Sequence, residues 1–223
     1  MARRGDAATS RRAESAARRA DHSGSGPTLS EHTASPFPGA RMKFALFGEV
    51  LTVGLLITLV GLLVVTLPVG LAAGIRHLRR FVAAEDSRLA LFWQDVRAAL
   101  LPGAAVGAAA LVATLILLID IDLARSGFLP GGAAIEVVGW AGLGAVALVL
   151  LTAAGAWSPE SGWRGALRQV PARLRADLPG AAYLLATAVF VGVATWALIP
   201  LFLPAIGCAA LAVVAIPERR RTR

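Results

Sequence analysis

Four carboxylates stand at the margins of long charge-free runs: Glu49, Asp120, Asp122 and Glu136. An ionisable group held in hydrocarbon is costly and marks an ion or proton path unless water reaches it. Asp120 and Asp122 are the pair that could hold a cation or relay a proton; solvated helix ends are the competing reading for all four. Other chemistry is not spelled out. GxSxG, HExxH and a Walker A loop are missing, so no catalytic residue is assigned and the chain reads as a non-enzyme. His22, His32 and His77 stand at no metal-ligand spacing, so no metal and no cofactor are expected. The single cysteine, Cys208, has no intrachain partner, which excludes a disulfide framework.

The second group is arginine. Arg76, Arg79, Arg80, Arg88 and Arg97 follow the first apolar run, Arg164, Arg168, Arg173 and Arg175 precede the last, and Arg219, Arg220, Arg221 and Arg223 close the chain. In a soluble protein the net charge of +8 would suggest nucleic acid. Here it is better explained by loops meeting anionic lipid headgroups, and no nucleic-acid partner is expected. Arg76, Arg79, Arg80, Trp93, Arg97, Arg164 and Arg168 are the candidate contacts for lipid or a partner protein.

Composition dictates the elements that carry these groups. Of 223 residues, 57% are hydrophobic and 16% charged, against roughly 25% charged in soluble domains. Residues 50–75, 98–119, 137–159 and 178–217 contain no Asp, Glu, Lys or Arg. About 20 apolar residues span a hydrocarbon core, so each run holds at least one crossing. The fold class is therefore all-α: a polytopic transmembrane helix bundle of about five spans with short amphipathic interfacial helices.

The arginine-bearing connections are expected in the cytoplasm and the connection 120–136, with one arginine, outside. Two hairpins follow, 98–119 with 137–157 and about 180–198 with 201–217, the second turning at Ile199–Pro204 because each proline lacks a donor. The first run, VLTVGLLITLVGLLVVTLPVGLAAGI, reads as a single tilted crossing that puts the N-terminus outside and the following arginines inside. A competing arrangement turns the chain back near Pro68 and keeps the N-terminus inside, at the cost of irregular backbone that protein must bury. Trp93, Trp157 and Trp163 are expected at the inner interface and Trp140 and Trp196 near the outer one.

Residues 1–41 are rich in Ala, Arg, Ser, Gly and Pro and read as a disordered basic tail. Met42 resembles an ordinary start, so the tail is a candidate for a misassigned start codon; detecting any tail peptide by intact-mass analysis would end that idea. The domain is 42–217, followed by a basic cytoplasmic tail at 218–223.

RLALFWQDVRAAL, residues 88–100, places Leu89, Phe92, Trp93 and Val96 on one helical face, and 163–174 does the same with Trp163, Leu167, Val170 and Leu174. Both read as amphipathic helices lying at the membrane surface. Each runs into LPGAA, at 101–105 and 178–182, which suggests a parallel repeat of a surface helix and a hairpin. Gly70 with Gly74 and Gly103 with Gly107 have the spacing that lets helices approach closely, within one chain or in a homo-oligomer.

TLPVGLAAGIRHLRRF and RLALFWQDVRAALLPGA resemble the YesL family of bacterial integral membrane proteins, in which a first helix ends in a Pro-Ala-rich segment and a basic patch, followed by an aromatic surface stretch. Those features fall on Pro68, Ala72, Ala73, Arg79 and Arg80, then on Phe92, Trp93 and Arg97. The long tail departs from the family's short N-terminus. The resemblance implies a bacterial cytoplasmic membrane and a link to carbohydrate uptake, and it carries over no site residue. The expectation is a non-enzymatic accessory protein that contacts a membrane transporter subunit; the alternative is a small transporter or channel built from the two hairpins.

Overall fold

A computed structural model describes residues 43–127 and 131–218. The expectations for the tail at 1–41, the start at Met42 and the arginines after 218 lie outside the described residues. Among those described there are seven α-helices and no strand: α1 Lys43–Val60, α2 Leu67–Val82, α3 Leu89–Arg125, α4 Gly132–Ala156, α5 Gly162–Ala176, α6 Leu178–Ala197 and α7 Phe202–Glu218. The fold is an all-α helical bundle. Four stretches are long and apolar enough to cross a membrane: α3, α4, α6 and Ile199–Pro217, which takes in α7.

The first run departs from expectation. Instead of one helix over 50–75, α1 stops at Val60, the chain makes a 3-10 turn over Val64–Thr66, and α2 begins at Leu67. Pro68 lies in the first turn of α2, where its missing amide costs nothing; one turn deeper it would break the helix. The two arms fold back on each other. The Ile57 carbonyl lies against Gly70, and the Ile57 and Val53 side chains lie beside Gly74. Glu49, near the start of α1, reaches His77, near the end of α2. The start of α1 and the end of α2 therefore share one end of the bundle, as in the arrangement that turns back near Pro68; the single crossing is not formed.

Glycine makes this packing feasible. A Cβ on Gly107 of α3 would stand 1.9 Å from the Val65 carbonyl oxygen, one on Gly54 2.1 Å from that of Leu203, and one on Gly207 2.3 Å from that of Val50. At each crossing a backbone carbonyl occupies the side-chain position, so α7 lies across α1 and α3 lies across the turn before α2. Such approach maximises van der Waals and Cα–H···O contact, which holds apolar helices together where water offers no drive. The spaced glycines of both pairs thus serve packing within the chain.

The surface stretch 88–100 is not a separate helix. It is the first part of α3, 37 residues long with Pro102 inside it. Its buried stripe is Phe92, Asp95, Val96, Ala99, Gly103 and Gly107; Leu89 and Trp93, expected on the apolar face, are exposed. The second LPGAA behaves differently because Asp177 precedes it and accepts the Gly180 amide. That N-cap starts α6 afresh, whereas Leu100 offers no cap and α3 continues. The repeat therefore has one unbroken copy and one broken copy. In α5, Trp163, Ala166 and Val170 are buried, with Leu167 and Leu174 half-buried, close to the expected face. α6 and α7 meet through the expected turn, a 3-10 turn over Ile199–Leu201.

Candidate functional site: a buried ion-pair cluster beneath an arginine face

The last part of α2 carries Arg76, His77, Arg79 and Arg80. At about 100° per residue, consecutive side chains of a helix point to different neighbours, and these four reach three helices. Basic residues at a helix C-terminus also complement its dipole. Arg80 donates from Nη2 to Asp95 Oδ2 on α3 at 2.8 Å, and Arg76 Nε lies 3.4 Å from Asp95 Oδ1. Arg79 donates from Nη2 to the Gly155 carbonyl of α4 at 3.2 Å. The Arg76 guanidinium also stacks over Trp157, 5.9 Å from its centroid.

On the neighbouring face His77 Nε2 meets Glu49 Oε1 at 2.6 Å, clamping α2 to α1. His77 is 1% exposed, and Phe92 meets its ring edge to face with centroids 6.2 Å apart. Asp95, one turn beyond Phe92 on the same stripe, is 4% exposed. Among the described residues His77 Nδ1 and Arg80 Nη1 are buried with no protein partner. Trp163 closes the underside, donating from Nε1 to the Ala99 carbonyl at 3.3 Å and packing on Trp157.

Trp157 and Trp163 are therefore interior residues that join α3, α4 and α5, not the inner-interface anchors expected of them. Trp93, Trp140 and Trp196 do lie exposed. Trp140 sits under Arg125, which also bonds Glu136 at 2.7 Å at the opposite end of the bundle.

The expected contact residues divide. Arg76 and Arg80 are committed to Asp95, and Arg79, though exposed, bonds α4. Arg97 on α3 and Arg164 and Arg168 on α5 are exposed, as is Trp93, which packs edge-on against Phe92. Next to this face, Arg88 holds the Asp86 carboxyl below its usual range through a side-chain hydrogen bond. Glu160 is held below its usual range by its own backbone amide and by Ser158. Stability from these two carboxylates is present above the ordinary carboxylate range and is lost as pH falls through the depressed values.

Asp120 and Asp122 are both exposed near the far end of α3. Two residues apart on a helix, they point about 200° from each other and share no face. No group of three His, Cys, Asp or Glu able to hold a metal occurs among the described residues. The double variant Asp120→Asn with Asp122→Asn is expected to move thermal stability by less than about 0.5 kcal/mol per site and to leave solute flux in proteoliposomes unchanged. Altered flux would support the ion-site reading.

Reasoning from sequence missed Asp95, which lies inside the stretch read as a surface helix, and missed the pairing of Glu49 with His77. A signal existed for Asp95: it stands four residues before Ala99, which begins the four-residue spacing of small residues Ala99, Gly103 and Gly107 along one helix face. Chemically, the cluster is a clamp that fixes four helices at one end and leaves a second set of arginines facing outward. Compared with protein-family models, characterised proteins and solved structures, the chain finds no match in any of the three.

Proposed function

We propose that this protein is a non-enzymatic multi-pass component of a bacterial cytoplasmic membrane, whose arginine-rich end faces the cytosol and docks on anionic headgroups and on a subunit of a transport system. The observation that carries this reading is the division of the arginines. Packing consumes Arg76 and Arg80, whereas Arg97, Arg164 and Arg168 stand exposed on α3 and α5, two helices joined by the bond from Trp163 to Ala99. Exposed arginines on both helices, with an exposed Trp93 one turn from Arg97, have the composition of a contact surface, since Arg and Trp are enriched in such patches. Arginine loops next to apolar spans also favour the cytosolic side. The resemblance to the YesL family supports a carbohydrate uptake system as the partner.

The division also selects the variant for the test. Reversing Arg80 would unfold the clamp, so loss of a partner there would say nothing about docking. Reversing Arg164 and Arg168 to Glu leaves the clamp intact. Pulldown of the full chain in mild detergent is expected to recover a transporter subunit, and the reversed variant to recover at least several-fold less at equal thermal stability. Recovery of the chain as a single homogeneous species, or equal recovery by both variants, would overturn the docking proposal.

A further inference from the structure

We propose that α1 and α2 form a re-entrant hairpin that enters the bilayer from the arginine-rich end, turns at 61–66 within the hydrocarbon, and leaves by the same face. Three lengths along three helices place the turn. From Glu49 to Val60 along α1 is about 16 Å; from Leu67 to Arg76 along α2 is about 14 Å; from Arg97 to Gly107 along α3, where Val65 makes its contact, is about 15 Å. Each starts from a charged residue at the arginine end and reaches the same depth, half of a core of about 30 Å. Beyond Gly107, α3 continues to Arg125 for about 27 Å. The turn therefore stops well short of the opposite face.

The chemistry of the turn fits that depth. A turn in water is built from Gly, Pro, Asn, Asp and Ser; this one reads GLLVVT. Leu62, Leu63 and Val64 are 78%, 70% and 59% exposed, and Leu55 and Leu59 of α1 and Val112, Leu115 and Ile116 of α3 are exposed as well. Irregular backbone is tolerated at such depth only where protein buries it or it lines a water-filled cavity, and part of this turn is covered by its own hydrogen bonds and by α3. The carbonyls of Ile57, Leu63 and Val64 accept the amides of Gly61, Thr66 and Leu67. The Thr66 hydroxyl serves the carbonyls of Val60 and Leu63, and Val65 rests on Gly107. Acyl chains are therefore the occupant of the exposed tip. The spans that remain, α3, α4, α6 and α7, are even in number, so both ends of the described membrane domain share the arginine face, as the positive-inside rule favours with Arg41 and Lys43 beside the first helix.

The test uses the full chain in oriented membrane vesicles with Cys208→Ala as background. Single cysteines are introduced as Phe44→Cys, Leu63→Cys, Glu85→Cys and Ser126→Cys and probed with a membrane-impermeant maleimide from each side. Phe44→Cys and Glu85→Cys are expected to label from one side and Ser126→Cys from the other. Leu63→Cys is expected to label from neither side until detergent is added. Labelling of Phe44→Cys and Glu85→Cys from opposite sides, or of Leu63→Cys from the side that reaches Ser126→Cys, overturns the hairpin. Oxidative crosslinking of Leu63→Cys between two chains would make a second copy the occupant and overturn the lipid assignment.

Discussion

Asp95→Ala is expected to destabilise the protein by about 3–5 kcal/mol, the cost of removing one member of a buried ion pair and leaving its partner charged. The carboxylate is all but inaccessible, and it meets two guanidiniums from one helix. Arg80 Nη1 has no other described partner to fall back on. Truncating Asp95 leaves the Arg76 and Arg80 guanidiniums, each largely but not wholly withdrawn from solvent, without the carboxylate they share. The loss should be mostly reversed by removing the stranded charges as well: Asp95→Leu with Arg76→Leu and Arg80→Leu keeps volume and deletes the desolvation cost, so it is expected within about 1–2 kcal/mol of the parent chain. SDS-titrated unfolding in mixed micelles, followed by circular dichroism, reads both. A single variant as stable as the parent would show that the pair is solvated and the clamp does not hold the helices.

The triple variant also separates folding from docking. If Arg164 and Arg168 carry partner recognition, a chain without Arg76 and Arg80 keeps its partner as long as it folds. The clamp and the proposed contact surface occupy the same end of the bundle and are built from the same residue type, and burial separates one set from the other. Arginine suits both, because a planar fork pairs with a carboxylate inside and with headgroup phosphate outside.

Much of the bundle was legible because hydropathy is a property of composition. Charge-free runs must be immersed, and prolines at 200 and 204 had to turn the last run, so α3, α4, α6 and α7 were readable. The break at 61–66 was hidden by the same property. A turn of this kind carries few polar residues to announce it, and apolarity gives the length of a run without its direction; only Gly61, Thr66 and Pro68 marked the place. Asp95 was obscured because its partners lie on another helix, and register between helices is set by close glycine contacts that spacing suggests without specifying. Trp157 and Trp163 were placed at the interface because tryptophan serves both interface and interior, and only the neighbouring Ala99 carbonyl and Arg76 decide between them.

Gly107→Leu is expected to abolish folding, with little monodisperse protein recovered in detergent. The obstacle is the Val65 carbonyl, a backbone group in a turn already fixed by Pro68 and Thr66, so it cannot rotate away as a side chain would. Alanine at the same site already forces α3 from the hairpin, and overpacking of this kind costs about 1–3 kcal/mol or more. The glycines rank themselves by what a Cβ would meet. Gly54 and Gly207 face carbonyls at 2.1 and 2.3 Å and should follow Gly107 closely, whereas Gly74 faces the Ile57 side chain at 2.7 Å, which can move. Gly192 in α6 faces open space, and Gly192→Ala should gain up to about 1 kcal/mol from helix propensity. Unfolding midpoints of the five alanine variants should therefore fall in the order 192, 74, 207, 54, 107. Equal midpoints for Gly107→Ala and Gly192→Ala would mean that the α1–α2 turn does not rest on α3, and the depth assigned to it would fail along with the packing.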